Sequence, residues 1–295
     1  MFGPIRCDAH GGIYYRPVGA LNSAFESPVI RVEADKSSTR FTFDSVEGLP
    51  RELYAFTFDV DPAGRVYALV AARDQTANAS IYVLAFSNEG EFLRKTRLEV
   101  TFRPSGAFLA LPNDTFLISG VKDVSNPEEP QPAFVALFRD GRIIRPLLTT
   151  PKASAKKRDP SKPGILDPVL QFAQAAKDRE GTIYLLKATS PPQVDVFSAT
   201  GTLIRSVTLA FPFPGARPAA FFVDGSHPLV MYQPPQGAPA KEYRLFYTKY
   251  DARTGEPIVT YLQQQFGTMA CVEDGEVTFL RSIAGRMVLG ETHLK

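Results

Sequence analysis

The chain has 295 residues, 44% hydrophobic and 22% charged, with a formal net charge of +2. That balance supplies apolar surface for a large core and excludes a disordered chain. It also lacks the basic excess of a nucleic-acid binder, so no nucleic-acid partner is expected. No apolar run has the length of a membrane-spanning helix, and the opening residues MFGPIR do not form a signal peptide.

In chain order, RCDAHGGIYYR (Arg6 to Arg16) is an Asp/Gly turn followed by a β-branched and aromatic pair. The same line returns as DVDPAGRVYAL (Asp59 to Leu69), LALPNDTFLIS from Leu109, AAKDREGTIYLL (Ala175 to Leu186), FFVDGSHPLVMY from Phe221 and ACVEDGEVTFL from Ala270. Recurrence at such a period marks stacked or radially arranged units. Within the second unit the alternation predicts strands over Leu53 to Val60, Arg65 to Val70, Ser80 to Phe86 and Glu91 to Leu98. Turns fall at Asp61-Pro62-Ala63-Gly64 and Asn88-Glu89-Gly90, and no segment carries a helical stripe.

Six units follow, at roughly 1–47, 48–101, 102–148, 149–211, 212–263 and 264–295. Gly64, Asn113, Gly181, Gly225 and Gly275 mark successive first turns; Asp140-Gly141, Thr200-Gly201 and Thr254-Gly255 are counterparts of the second. The wide interval before Gly181 holds an insertion, Thr149 to Pro168, whose Pro, Ser and Lys content is that of an exposed loop. The last unit offers Val277 to Arg281 and Arg286 to His293 but no fourth strand. Either that unit has three strands, with an edge that needs protection or a partner, or upstream residues complete it. The second option suits an exported precursor, so a periplasmic or secreted location is favoured over the cytoplasm.

Two readings stand for Cys7 and Cys271. As small apolar free thiols they need no partner, which is the favoured reading; if the first and last units are neighbours, they could form a disulfide.

The D-x-x-G-x-[IV]-Y element followed by [VI]-x-[VLF]-F-x-x-x-G resembles the NHL-repeat and gluconolactonase-like six-bladed β-propellers across essentially the whole chain. The resemblance implies an all-β fold, a single-domain six-bladed β-propeller of mostly four-stranded antiparallel blades. It also implies that ligands meet the loops that precede each inner strand and follow each second strand, with the Asp/Gly turns on the opposite face.

A gluconolactonase-like enzyme holds a divalent cation with Glu, Asn and Asp oxygens. The inner strands here (LYAFTFDV, SGAFLALP, LQFAQAAK, RPAAFFVD, TMACVEDG) are rich in Ala, Phe and Leu, and only Glu52, Asp167 and Gln174 stand near the ligand face. Glu52 and Asp167 are weak metal candidates, and no cofactor is predicted. His10, His227 and His293 lack metal-ligand spacing, and no G-x-S-x-G, G-x-G-x-x-G or Walker motif occurs. The basic residues carry more. Arg51, Arg103 and Arg217 precede inner strands, Arg16 and Lys187 close second strands, and the insertion adds Lys152, Lys156, Lys157, Arg158 and Lys162. Guanidinium forks suit carboxylate, phosphate or sulfate, although rim arginines also pair with neighbours such as Glu52, Asp74, Glu128, Glu129 and Asp167. The sequence therefore points to a non-catalytic binding scaffold for a partner protein or an anionic small ligand; the alternative is a lactonase-like propeller hydrolase or lyase.

Overall fold

Strand follows strand through short turns, and no helix occurs among the described residues. The structure is a computed structural model that describes residues 4–17, 28–33, 35, 37–43, 46–49, 52–73, 79–122, 132–149, 174–187, 189–233, 246–262, 268–283 and 286–293. Packing divides the chain into two units, Met1–Leu170 and Gln171–Lys295.

The first unit holds three four-stranded antiparallel meanders. They are β1 (Arg6–Cys7), β2 (Ile13–Tyr15), β3 (Val29–Val32) and β4 (Ser38–Phe41); β5 (Glu52–Val60), β6 (Val66–Arg73), β7 (Ala79–Phe86) and β8 (Phe92–Arg97); and β9 (Phe102–Leu111), β10 (Thr115–Lys122), β11 (Ala133–Arg139) and β12 (Arg142–Thr149). The second unit holds β13 (Gln174–Lys177), β14 (Ile183–Lys187), β15 (Gln193–Phe197) and β16 (Leu203–Thr208), then β17 (Arg217–Asp224), β18 (His227–Gln233), β19 (Phe246–Tyr250) and β20 (Pro257–Leu262). Its last sheet has three strands, β21 (Thr268–Glu273), β22 (Glu276–Ile283) and β23 (Arg286–His293). The six sheets are the blades of a β-propeller.

The first strand of each blade is the inner one: β1 meets β5 and β5 meets β9, and likewise β13 meets β17 and β17 meets β21. Sheet packs on sheet through both faces, which explains the nearly continuous apolar runs. On β6, Tyr67 and Leu69 face the third blade while Val66, Ala68 and Val70 face the first. In the second unit Tyr184 and Leu186 pack with Val230 and Tyr232 of the next blade.

A register shift interrupts four of the inner strands, β5, β9, β17 and β21. One extra residue stands out of register at Phe56 in β5, Ala219 in β17 and Ala270 in β21, and a wider bulge spans Ser105 to Ala107 in β9. Bulges bend a strand and free backbone groups from the ladder, and they recur beside functional sites.

Neither Cys7 nor Cys271 is a free thiol; each is disulfide-bonded. This corrects the free-thiol reading, which rested on residue type and count alone.

Candidate functional site

The recurring Asp is a turn lock. In three blades its Oδ1 accepts the backbone N–H groups two and four residues on: Asp8 from His10 and Gly12 at 2.8 and 2.9 Å, Asp61 from Ala63 and Arg65 at 3.0 and 2.9 Å, Asp178 from Glu180 and Thr182 at 3.0 and 2.8 Å. The other oxygen accepts the phenol six residues on, with Tyr14 on Asp8 at 2.8 Å, Tyr67 on Asp61 at 3.5 Å and Tyr184 on Asp178 at 3.3 Å. Gly64, at φ 79°, supplies the left-handed residue of one such turn, in which its N–H donates to the Asp61 carbonyl at 3.0 Å. Blade three turns instead through Asn113-Asp114, and the Tyr position holds Phe116, which has no hydroxyl to satisfy.

Burial and the adjacent carboxylates raise these phenols: Tyr14 goes far above its usual value, and Tyr67 and Tyr184 to about 12. The first-turn aspartates are thus committed to holding the turns. His10 lies exposed in the first of them, His227 opens β18 half-buried, and His293 ends β23 exposed.

The buried carboxylates of the inner strands join neighbouring blades. Asp59, 1% exposed, accepts Arg6 Nε from β1 at 2.8 Å and the Ala110 N–H of β9 at 2.8 Å. Asp224 closes β17; it accepts Lys249 Nζ at 2.6 Å and the Gly275 N–H of the next blade at 3.0 Å. Among the described residues no three His, Cys, Asp or Glu side chains converge on a metal position.

The sequence-selected cations divide by environment. Arg16 is 7% exposed, directly after β2, and its Nη1 donates to the Ala55 carbonyl at 2.8 Å; burial lowers its pKa. Lys187 lies 2.6 Å from Asp195, whose other oxygen accepts Ser206 Oγ at 2.7 Å. Arg103, near the start of β9, and Arg217, at the start of β17, are exposed. Gln174 Nε2 donates to the Ala219 carbonyl at the β17 bulge, 3.0 Å away. Arg51, Asp167, the side chain of Glu52, the neighbours Asp74, Glu128 and Glu129, and the insertion after Thr149 lie outside the described residues.

Sequence reasoning missed a cleft of about 300 Å³ in the first unit, at the bulges of β5 and β9. Pro4, Phe56, Leu69 and Pro104 give it apolar walls, and Arg6 and Thr57 bring polar groups. Gly106 borders it with open space where a side chain would stand. The β9 bulge is held from behind by Ser119, whose Oγ accepts the Ala107 N–H at 2.9 Å and donates to the Ser105 carbonyl. Phe56 stands edge-on to Tyr54, centroids 4.5 Å apart, and Tyr54 is 40% exposed. The bulge sets this arrangement, and nothing in the local sequence announces a bulge.

No protein-family model matches the chain, and no curated protein sequence does. Solved structures do. The β-propeller domain of the Trilobed protease from Pyrococcus furiosus, described as having an open velcro topology, is 9% identical with a TM-score of 0.52; the match covers 100% of this chain and 84% of that one. A protein of unknown function from Bacteroides caccae is 10% identical with a TM-score of 0.50, covering 92% of this chain and 85% of its own. A gluconolactonase from Xanthomonas campestris is 11% identical with a TM-score of 0.48, covering 94% and 82%. At these identities likeness speaks to fold alone. The chain has the fold of the β-propellers, in six blades.

Proposed function

We propose that the chain is a non-catalytic binding scaffold whose exposed arginines at the inner-strand starts recognise a partner protein or an anionic small ligand. The observation that carries this reading is how the inner-strand charges are used. Asp59 and Asp224 have both carboxylate oxygens held by structural donors and are buried; Arg103 and Arg217 are at the surface, where a partner can reach them. A carboxylate held in that way serves as a base or cation ligand only by giving up contacts that join blades. An exposed guanidinium offers a planar fork to carboxylate, phosphate or sulfate. The disulfide-bonded cysteines favour an exported chain, because disulfides persist in oxidising compartments and are rare in the cytosol.

The test is a thermal-shift screen of sulfate, citrate and an acidic peptide against the native chain and the triple variant Arg51→Ala, Arg103→Ala, Arg217→Ala. Stabilisation of the native chain that is lost in the variant is expected. An equal response from both overturns the reading.

A further inference from the structure

We infer, on the binding-scaffold reading above, that the cleft at β1, β5 and β9 is a ligand site for a small monocarboxylate with a flat apolar body. Its volume of about 300 Å³ lies at the small end of ligand pockets, and its wall has their composition, mostly apolar with a few placed polar groups. Phe56 supplies an aromatic wall fixed by Tyr54, and Pro4 and Pro104 add rigid apolar surface that loses little entropy when covered.

The polar end is Arg6. Its Nε is held by Asp59 and its Nη1 donates to the Ile5 carbonyl at 3.0 Å, so the guanidinium is fixed in place. Among the described residues its Nη2 has no partner, and the side chain is 30% exposed. A guanidinium already oriented by one carboxylate can donate its remaining edge to a second.

Asp59 also sets the charge of the guest. It is almost fully buried, 2.8 Å from Arg6 Nε, and neutralises most of that cation's field. A monoanion gains directed hydrogen bonds from Nη2 and meets little net repulsion, whereas a dianion has no second cation among the cleft residues to balance it. This separates the cleft from the exposed arginines, which suit phosphate or sulfate as well. Thr57 lines the same wall and adds a hydroxyl beside the apolar surface.

The experiment is calorimetric titration with phenylacetate as probe, against 2-phenylethanol as its uncharged counterpart and inorganic phosphate as dianion. For the native chain we expect phenylacetate to bind with a Kd of about 1 mM or tighter, and the other two at least about tenfold more weakly. Thr57→Phe, which fills the cleft, and Arg6→Lys, which keeps the charge opposite Asp59 but loses the fork, should each weaken phenylacetate about tenfold or more. Arg142→Ala, on the exposed outer strand β12 and outside the cleft, should leave it unchanged. Absence of phenylacetate binding overturns the cleft site, as does native-like affinity in Arg6→Lys, which decides the matter alone if Thr57→Phe does not fold. Loss of binding in Arg217→Ala, with both cleft variants native-like, overturns it too while leaving the arginine reading standing.

Discussion

Arg16 Nη1 donates to the Ala55 carbonyl oxygen at 2.8 Å, reaching from the end of β2 in one blade to the bulge in the inner strand of the next. Gln174, on the inner strand β13, donates to the Ala219 carbonyl at the bulge of β17. Two side chains of different charge thus satisfy carbonyls beside two bulges, so such a cap requires a donor of sufficient reach rather than a positive charge. Removing that donor leaves a buried acceptor unpaired.

Arg16→Ala is therefore expected to cost about 1–3 kcal/mol of stability. Arg16→Gln, which keeps an uncharged donor, should recover part of that loss. Urea denaturation of the three proteins checks the order, and equal midpoints for the native chain and Arg16→Ala would remove the capping role.

The buried tyrosines make stability depend on alkaline pH. Tyr67, Tyr184 and Tyr232 are each raised to about 12, chiefly by burial. A phenol whose folded pKa lies above its unfolded value of about 10 contributes fully below pH 10, because both states are then protonated. As pH rises from about 10 to about 12 the unfolded phenol ionises first and stability falls, by about 2–3 kcal/mol per tyrosine at most. Tyr184→Phe removes one such contribution and should flatten the decline between pH 10 and pH 11.5 in denaturant melts. A slope equal to that of the native chain would contradict the assignment.

The repeat was legible because its causes are local. Asp-x-x-Gly makes a turn from five consecutive residues, and alternation on β6 reports that both sheet faces are covered. Tyr14, Tyr67 and Tyr184 each stand six residues after a turn Asp, and that fixed spacing between polar atoms marks a hydrogen bond. The candidate site was not legible, because it depends on strand register. Arg16 reads as a rim cation until the β5 bulge brings a carbonyl to it, and Phe56 reads as core until the same bulge turns it to the cleft.

Thiol counting checks the cysteine correction. Under denaturing, non-reducing conditions the chain should show no reactive thiol, and after reduction two, Cys7 and Cys271. Reduction should also lower the melting temperature, since breaking a disulfide typically costs about 2–5 kcal/mol. Two reactive thiols before reduction would restore the free-thiol reading.

The second-turn glycines staple one blade to the next, and here the need for glycine is steric as well as conformational. A Cβ on Gly141 would stand 2.2 Å from the Arg97 carbonyl oxygen, and one on Gly255 2.0 Å from that of Thr208. Both glycine carbonyls also accept an N–H from the preceding blade's exit, Glu99 at 2.9 Å and Ala210 at 3.0 Å. Gly225, also at positive φ, has nothing within 4 Å of the same position, so it isolates the backbone cost. Gly225→Ala should cost about 1–2 kcal/mol, the penalty of a left-handed alanine. Gly141→Ala and Gly255→Ala should exceed it by about 1–3 kcal/mol, because the hydrogen-bonded contact must open to admit the methyl group. Thermal melts of the three variants give the comparison, and three equal losses would mean that these turns do not hold the blades together.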